Sequence, residues 1–268
     1  MWELPEDFMT YSHFERSVRN LDWQSSPGYP YMLKAPTNEV FLGVKDGKPD
    51  ADRLLYLWQL VEQRIQHLLS GETDCDYIRL FVKAEPLKPK KVANQEYRII
   101  SSVSVVDQII DHMLFDMMND KMLENWDKQP AKVGWSAYTG GWRVVPQNKV
   151  MALDKKSWDW SANMWLFDMT FELRQRLCAT TGNNYAKWKL LAHKRYLCLF
   201  GNPKFITSGG MVLRQKEPGV MKSGCVKTIT DNSIMQYILH LRVCQELGLD
   251  IGRVFWSMGD DVLQEEVS

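Results

Sequence analysis

Apolar positions first fall into a helical rhythm over residues 52–69, where Leu54, Leu57, Trp58, Val61, Ile65 and Leu68 form one stripe. Ser70-Gly71 ends it. Residues 77–83 and 97–102 read as strands, separated by a basic loop over 87–95. Ser104 stands where it would cap a long helix running to about Trp126. A strand over 149–153 then runs into an acidic-aromatic turn. Helices are predicted over about 162–180 and 183–200, parted by Thr181-Gly182, and a hairpin over 203–215 has Ser208-Gly209-Gly210 at its tip. A helix over roughly 224–247 stops at Gly248. A strand over 253–258, the turn Gly259-Asp260-Asp261 and a short strand follow. The first fifty residues are rich in aromatics and turn formers, as in Ser25-Ser26-Pro27-Gly28-Tyr29-Pro30, and read as folded but irregular. Strands are separated by helices, yet no glycine-rich phosphate loop accompanies them. The order predicts an α+β fold, not a doubly wound sheet.

Composition narrows the class. With 45% hydrophobic and 25% charged residues the 268-residue chain has material for a sizeable core, which excludes a disordered or collagen-like chain. Lysine plus arginine and aspartate plus glutamate both number 33, so a histone-like basic binder is excluded as well. The five cysteines (Cys75, Cys178, Cys198, Cys225, Cys244) never form a CxxC pair, which argues against a disulfide or zinc framework. No apolar run reaches the ~20 residues that span a bilayer, and the N-terminus does not read as a signal peptide. The expectation is a soluble intracellular protein.

The candidate chemistry lies in carboxylates. The stretch 255–263 is apolar, then Gly259-Asp260-Asp261, then apolar again. A Gly-Asp pair suits a tight hairpin turn that lifts both aspartates to the rim of a sheet. Alone, such a turn is ordinary. The strand over 149–153 also runs straight into an aspartate, Asp154, with Asp159 shortly beyond. Adjacent strands that end in carboxylates offer hard oxygen ligands for Mg²⁺ or Mn²⁺, and two such ions ~3.5–4 Å apart clamp an in-line phosphoryl displacement. The competing reading makes Asp154 a helix cap. A third element adds weight: Ser223-Gly224 opens a helix on which Thr228 and Asn232, four apart, share a face. Polar groups so placed suit a ribose hydroxyl, which both donates and accepts.

Taken in order, these segments resemble the RNA-dependent RNA polymerases of positive-strand RNA viruses. Asp154-x4-Asp159, Ser223-Gly224-x3-Thr228-x3-Asn232 and Gly259-Asp260-Asp261 match that family's motifs A, B and C. Residues 78–88 with 97–102 resemble motif F, and 25–30 resemble motif G. The wording of Trp158-Asp159-Trp160-Ser161, of 98–104 and of 257–261 is most similar to sobemovirus- and polerovirus-like polymerases. The resemblance implies a right-hand polymerase made of fingers and a partial palm, with an antiparallel palm sheet flanked by helices and no thumb. Residues 1–148 would be a fingers region with motifs G and F. Residues 149–268 would be the palm core, interrupted by a fingers insertion at about 171–215.

The same resemblance implies roles. Asp154, Asp260 and Asp261 would be catalytic and hold two Mg²⁺ ions, or Mn²⁺. Asp159, Thr228 and Asn232 would select the ribose 2′-hydroxyl, and Lys83 and Arg98 would meet the triphosphate. Ser223 and Gly224 would touch template and nascent pair, and Ser26, Pro27 and Gly28 would line the path by which template enters. The implied partners are RNA template and product, nucleoside triphosphates and other viral replication proteins. The implied location is the cytoplasm of an infected cell, at membrane-associated sites reached through those other proteins. Charge segregation agrees: residues 79–98 carry six basic against two acidic side chains, and 259–268 carry four acidic and no basic ones.

Several features stand outside this pattern. Motif D with its lysine, motif E and the thumb are missing after Asp261, which suggests a fragment and an alternative function as an RNA- or partner-binding module only. Lys155-Lys156 inside motif A departs from the small or apolar residues expected there. Reverse transcription fits less well, since Asp159 and Asn232 match the ribose-sensing pair. Lys187, Lys189, Lys194 and Arg195 make a basic helix suited to flanking template RNA, while each taken singly reads as part of a solvated helix face. Cys225 has no histidine near it in sequence and is not a credible nucleophile.

Overall fold

A computed structural model of the chain describes residues 1–147 and 149–266. From the N-terminus these form α1 (Tyr11–Val18), α2 (Asn38–Leu42), α3 (Ala51–Leu69), β1 (Ile78–Val82), α4 (Pro89–Ala93), β2 (Ile99–Ser102) and α5 (Val105–Glu124). There follow β3 (Val150–Asp154), α6 (Trp158–Ser161), α7 (Met164–Arg176), α8 (Gly182–Tyr196), β4 (Lys204–Thr207) and β5 (Val212–Arg214). The long α9 (Thr228–Leu247) precedes β6 (Phe255–Met258) and β7 (Asp261–Glu265). The fold is α+β.

Most predicted elements appear within a few residues of their expected bounds, and four differ for local reasons. The N-terminal region is not wholly irregular: Thr10 accepts from the His13 amide and caps α1, whose His13, Phe14, Ser17 and Val18 turn inward. The basic loop holds the short α4, with Pro89 at its first turn, where a fixed φ favours helix entry. Helix α8 continues into a wider turn at Leu197–Gly201. Finally, α9 starts at Thr228 rather than 224, because residues 222–227 are folded into a turn against β2.

Two sheets result. One has the order β2-β1-β4-β5, with β1 antiparallel to β2, parallel to β4, and β4–β5 as the predicted hairpin. The other is antiparallel, in the order β3-β7-β6. Helix α9 packs on β6, and α7 on α9, so the second sheet rests on a helical layer.

At the centre lies α5. Ile109, Ile110, Met113, Leu114 and Phe115 are all buried on it, as expected of a helix apolar on most sides. It also buries two carboxylates, Asp107 and Asp111. Arg195 meets Asp111 at 2.7 Å and Asp107 at 3.0 Å, and Arg64 reaches Asp107 at 2.9 Å. Arg195 is therefore fully buried and no part of a solvated face. The pairing leaves neither carboxylate of α5 without a cation, which at that depth would cost several kcal/mol. Arg174 of α7 likewise meets Asp231 of α9 at 2.7 Å, both buried, which fixes α9 in register against α7.

Candidate active site

The edge of the three-stranded sheet collects the predicted carboxylates. Asp154 ends β3 directly opposite Asp261, the first residue of β7. Met258 and Asp261 are also cross-strand partners, so Gly259 and Asp260 are the two central residues of the β6–β7 turn. Gly259 has φ +69° and Asp260 is not at positive φ, the pattern of a II′ hairpin turn and the reason for glycine there. Val262, one residue further along β7, points into the core. The alternation of strand side chains accordingly turns Asp261 outward, and Asp154, Asp260 and Asp261 are all exposed.

Helix α9 grips this edge from beneath. The Gly259 amide donates to Ser233 Oγ at 2.8 Å, and Ser257 Oγ donates to the Ser233 carbonyl at 2.9 Å. One turn on, buried Gln236 donates from Nε2 to the Asp260 carbonyl at 3.3 Å. Beside Ser233, Asn232 Nδ2 donates to Asp159 Oδ1 at 3.0 Å. Asn232 is 4% exposed, and its own Oδ1 is buried without a hydrogen-bond partner among the described residues. Burial pushes the Asp159 carboxyl above the usual carboxylate range; the Asn232 hydrogen bond opposes that, the Asp260 charge adds to it and the Arg98 charge opposes it. One carboxyl thus feels groups from three of the predicted motifs. Thr228 is placed differently: its hydroxyl lies 2.8 Å from the carbonyls of both Lys222 and Cys225, tying off the turn before α9.

That turn docks on β2. The Ser101 amide donates to Ser223 Oγ at 3.1 Å, and Gly224 bridges to Ser102. A Cβ on Gly224 would lie well inside contact distance of the Ser101 carbonyl, which explains the glycine. Behind it, buried Lys222 donates to Gln215 Oε1 at 2.6 Å, the Val220 carbonyl at 2.7 Å and the Gly219 carbonyl at 3.0 Å. Three donors meet three acceptors, while burial draws the lysine pKa down to about 7.

Lys83 and Arg98 face each other where β1 and β2 end, the Lys83 amide donating to the Arg98 carbonyl. Both reach Glu85, at 3.0 and 3.5 Å, and Lys83 holds that carboxyl below its usual range. Arg98 is 66% exposed. Ser26-Pro27-Gly28 lies at the start of α5: the Val105 amide donates to the Pro27 carbonyl, and Gly28, at φ +68°, has no room for a Cβ beside the Val103 carbonyl.

Comparison with known proteins gives the family. The profile described as viral RNA-dependent RNA polymerase matches residues 9–264. The chain belongs to that family. It is 29% identical over 297 residues to Protein P1-P2 of Pea enation mosaic virus-1, covering 98% of this chain and 24% of that protein. It is 32% identical over 239 residues to the replicase polyprotein P2AB of Southern bean mosaic virus, covering 81% of this chain and 23% of the polyprotein. It is 28% identical over 243 residues to the RNA-directed RNA polymerase of Mushroom bacilliform virus, covering 82% and 55%. The chain thus spans about a quarter of the length of the P1-P2 proteins and of the replicase polyprotein it matches.

In this viral RNA-dependent RNA polymerase family member, sequence reasoning named the carboxylates and missed what holds them. Ser233 and Gln236 are ordinary polar residues in the chain, with no spacing signal of their own, and Lys155 stands out only as a departure from motif A. Their partners are long-range: Lys155 Nζ is hydrogen-bonded to Gln236 Oε1 and lies 5.2 Å from the Trp158 ring centroid, and burial lowers its pKa. The donor chemistry fits a hard divalent cation. Asp154, Asp260 and Asp261 form no ion pair with a protein cation among the described residues, and Asp154 and Asp261 occupy opposing positions that like charges disfavour. Their oxygens are not all gathered within 4.8 Å. Among the described residues the set that meets this measure is His67, Glu72 and Asp74, exposed at the end of α3.

Proposed function

We propose that the chain is the fingers and palm portion of a viral polymerase that makes RNA on an RNA template from nucleoside triphosphates. The observation that carries this reading is the register of the β3–β7 ladder, in which Asp154 opposes Asp261 with Asp260 one residue away in the turn. The antiparallel sheet β3-β7-β6 on α9 is the palm in this reading. Sheet β2-β1-β4-β5 with the helices around it is the fingers, which agrees with the pairing of β4, from the 171–215 insertion, onto β1.

Two Mg²⁺ ions, or Mn²⁺, held by Asp154, Asp260 and Asp261 would activate the 3′-hydroxyl and neutralise charge on the leaving phosphates. The protein's own part is positioning. Arg98 and Lys83 take the triphosphate, a place for which their exposed cationic ends on one carboxylate suit them. Asp159 and Asn232 meet the ribose 2′-hydroxyl: the unpartnered Asn232 Oδ1 accepts and the hydroxyl oxygen remains free to accept in turn. Ser223 and Gly224 lie against template and nascent pair. Ser26, Pro27 and Gly28 line the path of incoming template. Among the described residues no helix is long and apolar enough to cross a membrane. Work at a membrane-associated replication site, reached through other viral proteins, belongs to the same reading.

Primer extension by the full-length protein tests the reading. Asp154→Ala and Asp260→Ala are each expected to abolish incorporation while the melting temperature is kept. Near-normal rates in either variant would overturn the metal assignment.

A further inference from the structure

The doublet Lys155-Lys156 separates in the fold. Lys156 is exposed, whereas Lys155 is half-buried under the carboxylate edge, bonded to Gln236 Oε1. A lysine ammonium only donates, so the contact settles which end of the Gln236 amide faces it. The NH₂ end is thereby turned toward the turn, where it donates to the Asp260 carbonyl. Gln236 is fully buried, so an amide turned the wrong way would face the Asp260 carbonyl with its own oxygen and leave donors unmet. The relay joins the residue after Asp154 to the backbone of Asp260 through the helix that also carries Asn232 and Ser233.

We propose that Lys155 is a positioning residue for the metal-binding edge: through Gln236 it sets where the Asp260 turn stands relative to Asp154. This rests on the polymerase reading above. Lys155 is expected to touch neither nucleotide nor RNA.

Charge makes the test decisive. Removing the cation carried by the residue after Asp154 would, by Coulomb attraction alone, tighten divalent-ion binding if it changed anything. The relay requires the opposite. In the full-length protein, Mn²⁺ binding is measured by titration calorimetry without RNA or nucleotide, alongside melting temperature. Lys155→Met and Gln236→Met are each expected to weaken Mn²⁺ about tenfold, in the range for groups that orient metal ligands. Lys155→Arg, which keeps the donors, should restore most of the affinity. The double variant should bind no more weakly than either single one, since both cut the same chain. Unchanged or tighter Mn²⁺ binding in Lys155→Met would overturn the proposal, as would a Lys155→Arg variant as weak as Lys155→Met. If Lys155→Met fails to fold, Gln236→Met carries the same test without a change of charge. Asp154→Asn separates the two ideas: if it leaves Mn²⁺ binding intact, the metal site itself is wrong, and if it alone weakens binding, only the relay is.

Discussion

Asn232 Nδ2 donates to Asp159 Oδ1 across 3.0 Å, joining side chains 73 residues apart at the buried foot of the carboxylate edge. The bond leaves Asn232 Oδ1 without a partner among the described residues. A buried acceptor in that state costs ~1–3 kcal/mol until something donates to it. On the proposed reading a ribose 2′-hydroxyl would meet that need, and a deoxy sugar would not.

Asn232→Ala should therefore narrow the preference for ribonucleotides over deoxyribonucleotides by roughly 5- to 150-fold in relative kcat/KM, the equivalent of one unmet group. Incorporation of matched ribo- and deoxyribonucleotides by the full-length protein checks this. A uniformly lower rate with the ratio unchanged would reduce Asn232 to a structural role.

Arg98→Ala should raise KM for all four nucleotides alike, because a contact to phosphate carries no base information. Steady-state kinetics with each nucleotide in turn is the measurement. Loss confined to one base would move Arg98 to the template or the base.

Gly224→Ala forces a methyl group into the Ser101 carbonyl, so the turn must lift from β2. Overpacking of this kind costs typically ~1–3 kcal/mol, and the Ser223–Ser101 hydrogen bond is lost with it. Denaturant melts should show the stability loss, with a larger fall in incorporation than in stability if the turn touches the nascent pair. Equal stability in the variant would mean that the turn relaxes freely.

Acid should weaken the fold through His13. Its imidazole is buried and accepts from the Met9 amide, and burial holds its pKa down at about 4 from the ordinary 6.5. The unfolded chain binds the proton first, so the stability is fully present above pH 6.5 and is lost as pH falls toward about 4. The full effect is about 3 kcal/mol. Urea unfolding at the two ends of that window, for the natural protein and His13→Gln, reads it as a difference. The same acid loss in both would exclude His13 as the source.

Sequence and structure part company at contacts between distant segments. The stripe of α3 is legible because Leu57, Val61, Ile65 and Leu68 are themselves the face that is buried. The Ser104 cap is legible because donor and acceptor lie three residues apart. In contrast, α1 hides among turn formers, and Arg195 looks solvated until α5 supplies Asp107 and Asp111.

By itself, the sequence determined the run of helices and strands, the α+β class, the order of the motifs and the position of each aspartate at a strand end or turn. Those properties depend on neighbours within a few residues, whose periodicity and turn chemistry are written along the chain. Tertiary structure alone decided that Asp154 stands opposite Asp261, that Ser223 and Gly224 rest on β2, and that Lys155 reaches Asp260 through Gln236. A one-residue slip of β3 against β7 would turn Asp154 to the other face without altering a single local preference. Register and hydrogen-bond partners of this kind are set by packing between segments some eighty to one hundred and ten residues apart, as for Lys155 with Gln236 and Asp154 with Asp261, which no local pattern encodes.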